Sequence, residues 1–258
     1  MPWTEAEIAN ALRDAGCVFA EEEARLLLGE GSAPAELDER VCRRVGGEPL
    51  EVILGWADFC GLHIIVEPGV FVPRKRTEFL VRQAAALGFS GAVVLDRCCG
   101  TGAVGVALLD LLGRVELYAA DVDPVAVHCA RRNVLPRGQV FEGDLYAPLP
   151  EHLRGRVDLL VVNAPYVPTE SISFMAPEAR LYEPRRALDG GADGVDIQRQ
   201  VASGASSWLA PDGHLLIETS DEQVELTAAT MDQGGLVVRA VISEEFETTV
   251  VIGTRPRK

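Results

Sequence analysis

The sequence lacks any surplus of positive charge: 24 Lys and Arg stand against 39 Asp and Glu, a formal net charge of −15. Such a surface repels a phosphate backbone, and no Lys/Arg-rich run offers a local exception. Direct contact with nucleic acid is therefore disfavoured, and a neutral or basic protein partner is favoured. Long hydrophobic runs are missing too. Stretches such as Val104 to Leu109 are soon broken by charge or glycine, far short of the ~20 apolar residues of a membrane span. The opening Met1-Pro2-Trp3-Thr4-Glu5 has no basic start followed by an apolar stretch. A secretory signal is not expected, and the expected location is the cytoplasm. Cys17, Cys42, Cys60, Cys98, Cys99 and Cys129 include no Cys-x-x-Cys pair, which argues against a zinc site or disulfide framework and for reduced, mostly core thiols. His63, His128, His152 and His214 show no metal-ligand spacing, so no metal is expected.

What is present is the composition of a globular protein. With 258 residues, 48% hydrophobic and 24% charged, the chain can bury a sizeable core in one large domain with a small companion. Thr4 and Glu7 form a capping-box pattern ahead of Ile8, Leu12 and Ala15 on one helical face, and Gly16 stops the segment. Two similar units follow, Glu21 to Leu28 before Gly29, and Ala35 to Val45 before Gly46-Gly47. Glu21-Glu22-Glu23 reads as a solvated helix face, and Trp3, Trp56 and Trp208 as packing residues. The pattern predicts a helical domain over 1–54, then a hairpin and linker over 55–76, with runs Trp56 to Phe59 and Leu62 to Val66 around Cys60-Gly61.

From Thr77 to the end, strand-like and helix-like runs alternate. Candidate strands are Val93 to Arg97, Val115 to Ala120, Gln139 to Glu142, Val157 to Asn163, His214 to Thr219, Leu236 to Ile242 and Thr248 to Thr254. Alternation of this kind predicts an α/β domain over 77–258 with a largely parallel sheet covered on both faces. In such sheets ligands bind beyond the carboxyl ends of the strands.

The first of these strands runs into Asp96-Arg97-Cys98-Cys99-Gly100-Thr101-Gly102-Ala103-Val104-Gly105. Glycines there let the backbone approach a ligand, with a helix N-terminus behind them. The spacing of Gly100, Gly102 and Gly105 fits a dinucleotide fingerprint, and Asp121 lies at the end of the next strand, placed to accept from a ribose diol. This pattern suits NAD and S-adenosylmethionine equally; a glycine-rich turn and a solvated Asp are the plainer alternatives. Asp144, with Leu145, follows the third strand and could accept from an adenine amino group or merely cap a turn. Val157 to Val162 then leads into Asn163-Ala164-Pro165-Tyr166. The Asn163 side-chain oxygen and the Ala164 carbonyl can accept both protons of a planar –NH2 while Tyr166 covers its face. A dehydrogenase has no use for that segment.

These residues resemble the HemK/PrmC group of protein-glutamine methyltransferases, within the Asn-Pro-Pro-Tyr branch of S-adenosylmethionine enzymes. The resemblance extends over Glu23-Ala24-Arg25-Leu26-Leu27-Leu28, Glu48-Pro49-Leu50 through Ile53-Leu54-Gly55, Phe71-Val72-Pro73-Arg74 with Thr77-Glu78, and Tyr182-Glu183-Pro184 followed by Ala187-Leu188-Asp189-Gly190-Gly191. Cys98 stands where the family usually has Gly, Cys99 where Thr is common, and Ala164 where the second motif residue is usually Pro. Because the motif uses the carbonyl of that residue, Ala can supply it, and Pro165 still holds residue 164 extended.

The resemblance implies a Rossmann-like methyltransferase fold with a seven-stranded, mostly parallel sheet and a small helical N-terminal domain that docks a protein substrate. It implies S-adenosylmethionine as cofactor and S-adenosylhomocysteine as product. Cys98, Cys99, Gly100, Thr101, Gly102, Asp121, Asp144, Leu145 and Asn163 would contact the cofactor, and Asn163, Ala164, Pro165 and Tyr166 the substrate, with Asn163 and Tyr166 catalytic. The implied reaction methylates a glutamine side-chain amide in a peptide chain release factor or a ribosomal protein, with no direct part for nucleic acid or membrane. Methylation of adenine or guanine amino groups is the rival, since those enzymes use a similar motif. Another is a cofactor-binding interaction module that no longer catalyses.

Overall fold

Thr4 starts the first helix as the capping box requires. Its hydroxyl accepts from the Glu7 N–H at 3.3 Å, and the Glu7 carboxylate accepts from the Thr4 N–H at 2.9 Å, opening α1 (Glu5–Asp14). The computed structural model describes residues 3–29, 31 and 33–257. Met1 and Pro2, on which part of the N-terminal reading rests, lie outside the described residues, as do Glu30, Ser32 and Lys258. Helices α2 (Ala20–Gly29), α3 (Pro34–Val45) and α4 (Leu50–Leu54) join α1 around Ile8, Leu12, Leu27, Leu37, Val41 and Ile53. Each such side chain contributes about 2 kcal/mol through the apolar surface it removes from water. The five residues of α4 are too few to show a helical period, and Gly55 ends it at a φ of 82°.

Glu23 departs from the expected solvated face. Arg44, buried on α3, donates to the Glu23 carboxylate at 2.6 Å and to Glu178 at 3.1 Å. A buried guanidinium needs counter-charges, so this one draws Glu23 inward and ties the helical unit to α8 (Pro177–Tyr182). The thiols also differ from expectation: Cys99 and Cys129 are buried, Cys17, Cys60 and Cys98 are half-buried, and Cys42 is exposed, all of them free. Short loops and helix ends, where several of these cysteines sit, leave them at the edge of the core.

Strands β1 (Trp56–Phe59) and β2 (Leu62–Ile65) form an antiparallel hairpin. Cys60 and Gly61 turn it with φ values of 54° and 73°, the double left-handed geometry that matches strand twist. The main sheet contains β3 (Val93–Arg97), β4 (Glu116–Asp121), β5 (Gly138–Glu142), β6 (Val157–Val162), β7 (Leu209–Thr219), β8 (Val237–Ser243) and β9 (Thr248–Thr254). Its order is β5-β4-β3-β6-β7-β9-β8, parallel except where β9 runs antiparallel to both neighbours. The mostly parallel seven-stranded α/β sheet is thus as expected.

Alternation along the strands builds a core on each face. Val94, Leu159 and Val161 face α5 (Glu78–Leu87), α6 (Ala103–Leu112) and α7 (Pro124–Val134). Leu95, Leu160 and Val162 face α9 (Asp196–Trp208) and α10 (Val224–Gln233). Besides α4, two elements escaped the sequence pattern. No residue of α8 is buried, so it has no apolar period. Strand β7 begins at Leu209, opposite Val157, and passes a register shift hidden behind Pro211 and Gly213. The chain leaves β3 toward β4 on one side, whereas β6 lies on the other. The crevice at this reversal brings the segment after Arg97 beside the segment after Val162, residues that are paired across the strands.

Candidate active site

Backbone geometry shapes the loop after β3. Cys98, Gly100 and Gly102 have φ values of 54°, 53° and 78°. A Cβ on Gly100 would meet nothing within 4 Å, whereas one on Gly102 would lie 2.9 Å from the Val134 side chain. One on Gly105 would approach Leu117 at 2.9 Å and Asp96 at 3.1 Å. The three glycines therefore divide their work: Gly100 opens the backbone to the cleft, while Gly102 and Gly105 let α6 pack against α7 and the sheet. Of the residues expected around the cofactor, Gly102 is the one set behind the cleft wall, because its Cα direction is occupied by Val134 and Ala130.

The cleft at this crevice brings together Cys98, Cys99, Gly100, Thr101, Asp121, Asp144, Leu145, Asn163, Ala164, Pro165 and Tyr166. Asp121 clamps the loop: Oδ2 accepts from the Gly100 N–H at 3.0 Å and Oδ1 from the Asp123 N–H at 2.9 Å. Each oxygen keeps a further lone pair for a ligand hydroxyl. Burial pushes the Asp121 carboxyl up from its ordinary value. Leu145, at a φ of 40°, and Val122 add apolar walls on the Asp121 side.

Across the cleft, the Asn163 Nδ2–H donates to Thr77 Oγ1 at 3.2 Å. An amide whose nitrogen is engaged in this way directs its oxygen away from Thr77. Tyr166 stands over the opening with the Arg76 guanidinium 5.7 Å from its ring centre. Burial pushes the Tyr166 phenol up to about 12, so it stays neutral at physiological pH. Gln223 bridges the Tyr166 and Asp193 carbonyls at 2.8 and 2.9 Å. Val167 exchanges backbone bonds with Leu188 and Gly190 at 2.9 Å each, and this is how the Ala187-to-Gly191 block comes to brace the motif.

Several residues of the site were not singled out from sequence. Asp96, buried, accepts from the Gly105 N–H at 2.9 Å. Asn133 on α7 donates to both the Ile65 and Thr101 carbonyls at 2.9 Å, fastening the hairpin to the glycine loop. Arg74 pairs with buried Glu183, which joins two of the resemblance blocks into one wall. Arg97 lines the floor with Nε and Nη1 unpartnered. Asn133, Arg74 and Glu183 depend on partners distant in the chain; for Asp96 and Arg97 the local signal is charge at the end of an apolar run. Among the described residues, no group of His, Cys, Asp and Glu could hold a metal ion, and no helix is long and apolar enough to cross a membrane.

Burial pushes the Asp96 carboxyl up to about 8 from an ordinary 3.8. The native state thus holds this proton more tightly than the unfolded chain does. Stability should fall as pH rises from about 4 to about 8, by roughly 1.4 kcal/mol per pH unit from this group. Asp96→Asn keeps an acceptor for Gly105 and has no such proton. Urea unfolding at pH 6 and pH 8 should show a smaller loss of stability in Asp96→Asn than in the native chain; equal losses would place the titration elsewhere.

The family described as Methyltransferase small domain matches residues 61–193, which include the glycine loop, Asp121 and Asn163 to Tyr166. A release factor glutamine methyltransferase of Geobacter sulfurreducens is 39% identical over 198 residues, 76% of this chain and 69% of that relative. The chain belongs to the release factor glutamine methyltransferase family. It is an S-adenosylmethionine-dependent methyltransferase. A 4-amino-L-phenylalanine/4-methylamino-L-phenylalanine methyltransferase of Streptomyces pristinaespiralis is 35% identical over 202 residues, 75% of this chain and 68% of that relative. In fold, a methyltransferase from Pyrococcus furiosus superposes with a TM-score of 0.59 at 16% identity, over 76% of this chain and 90% of that one.

The residues present fit the methyl donor. Gly100 offers a backbone face with no Cβ, Asp121 an acceptor with spare lone pairs, and Val122 and Leu145 apolar surface. Family membership and this cleft agree on S-adenosylmethionine as the cofactor.

Proposed function

We propose that the acceptor is the side-chain amide nitrogen of a glutamine in a protein, and that the protein is a peptide chain release factor carrying it in a Gly-Gly-Gln loop. The observation that carries this reading is the Asn163 amide, whose nitrogen is engaged by Thr77 so that Oδ1 serves the cleft as an acceptor. Together with the Ala164 carbonyl it can receive both N–H groups of a primary amide. In this reading Asp121 holds the ribose, Gly100 and Thr101 the methionine end, and Asp144 with Leu145 the adenine region.

S-adenosylmethionine, when bound, supplies an electrophilic methyl group on its sulfonium. An amide nitrogen is a weak nucleophile because its lone pair is delocalised into the carbonyl. Asn163 and Ala164 hold that nitrogen by its protons, turning its lone pair toward the donor side of the cleft and stabilising charge that builds on it during transfer. Tyr166 covers the other face and excludes water. The nitrogen would bond to the methyl carbon as the carbon–sulfur bond of the donor breaks and S-adenosylhomocysteine leaves, and it would afterwards give up one proton to solvent, so no side chain need act as base.

Docking of a protein is supported by the surface next to this cleft. Val18 and Phe19 are exposed and line a second groove, which reaches from α1–α2 to Pro177 and Glu178. Phe174, 88% exposed, stands one residue before the cleft-lining Met175. We assign this face, on the helical unit 1–54 and the segment before α8, to the release factor; a net charge of −15 favours a basic partner.

The test is transfer of radiolabelled methyl from S-adenosylmethionine to purified release factors, each compared with a version whose loop glutamine is alanine. Label that disappears with the glutamine is the expected result. Label on free 4-amino-L-phenylalanine and none on either factor would overturn the proposal.

A further inference from the structure

Glu218 occupies the next-to-last position of β7 and is 1% exposed. Neither of its oxygens has a hydrogen bond of good geometry; the donors facing it are Arg76 Nε at 3.5 Å and the Thr77 hydroxyl. Thr77, itself buried, lies between Glu218 and Asn163, whose Nδ2–H it accepts at 3.2 Å. Glu218 itself does not line the cleft.

We propose that Glu218 is a positioning residue for methyl transfer, acting through Thr77 to keep the Asn163 amide oxygen turned toward the substrate. Burial pushes the Glu218 carboxyl up from its ordinary value, while Thr77 and Arg76 pull it down; in its ionised form it can only accept, so the Thr77 proton is drawn to Glu218 and the Thr77 lone pairs are left for a donor. Asn163 must then present its –NH2 to Thr77 and its Oδ1 to the cleft. Without the carboxylate, the Thr77 hydroxyl can donate to Oδ1 instead. The amide then turns over and sets its own –NH2 against the –NH2 it should bind. The same carboxylate faces Arg76, the cation over the Tyr166 ring, so one buried charge sets both the acceptor and the aromatic wall.

A carboxylate left without good partners in a protein interior is destabilising. Strain of that kind persists where a site uses it. Leu216, two residues earlier and on the core side of the same strand, shows that an apolar residue suits this strand well.

The proposal rests on Asn163 being the acceptor for the substrate amide, and the experiment separates the two. Single-turnover methylation of a release factor is measured for Asn163→Ala, Thr77→Val, Thr77→Ser, Glu218→Gln, Glu218→Leu and the Thr77→Val/Glu218→Leu double variant, with calorimetric binding of S-adenosylhomocysteine to each. Thr77→Val and Glu218→Leu should each slow the maximal rate by about 30-fold, with half-saturating substrate and product affinity within about threefold. Thr77→Ser, which restores the hydroxyl, should recover the rate to within about threefold. Glu218→Gln, which still offers an acceptor oxygen, should fall between. The double variant should be no slower than the slower single variant, as expected for groups acting in series. Multiplying effects, or weaker binding at an unchanged maximal rate, would overturn the proposal while leaving the Asn163 reading intact. An active Asn163→Ala would overturn both.

Discussion

Asn163→Ala is expected to slow methyl transfer by about 10²- to 10³-fold, the scale seen when a site loses a group that stabilises its transition state. The reason is positional. An amide lone pair points at the donor only if the amide protons are held, and Asn163 provides the side-chain acceptor for one of them. The substitution should change stability little. It removes one hydrogen bond, to Thr77, worth about 1 kcal/mol, on a half-buried side chain. Asn163 is also expected to contact the cofactor, so S-adenosylhomocysteine affinity should fall too, but by no more than about tenfold. Rapid-quench measurement of the labelled product reads the rate, and calorimetry the affinity. A rate within fivefold of the native enzyme would mean that the acceptor is held by other groups.

Asp121→Ala should weaken S-adenosylhomocysteine binding by about 100-fold, since charge-assisted hydrogen bonds are worth about 1.5–3 kcal/mol each. Two losses combine here. The ribose acceptor goes, and the Gly100 and Asp123 N–H groups lose their shared partner, so the loop that presents Gly100 is no longer held from β4. Asp121→Asn keeps one acceptor oxygen and should lose only about tenfold. The ligand-free Tm separates the contributions, because only loss of the clamp lowers stability without ligand. An Asp121→Ala variant that binds as tightly as the native protein would remove Asp121 from the cofactor site.

Elements with strong local signals were legible in the sequence. Thr4 and Glu7 are three residues apart and cap each other, and β3 and β9 have the bounds that their apolar runs indicate. The glycine loop and Asn163 to Tyr166 were readable as a candidate site because strand ends in a parallel sheet are where ligands bind, and the structure places both at such ends. α8 and the start of β7 were not legible: α8 buries nothing, and β7 begins in Leu209-Ala210-Pro211-Asp212-Gly213, a stretch with turn chemistry. Nor could sequence spacing tell that Gly100 faces the cleft whereas Gly102 and Gly105 serve helix packing.

Taken by itself, the sequence determined the α/β class, the helical N-terminal unit and the residue types at the ligand edge, because these follow from periods of two to four residues and from short motifs. Tertiary structure alone decided the charge pairing: Arg44 with Glu23 and Glu178, Arg74 with Glu183, and Glu218 behind Thr77 and Asn163. Arg44 and Glu178 are 134 residues apart. A charged side chain reads as surface until the fold shows which counter-charge it meets on leaving water.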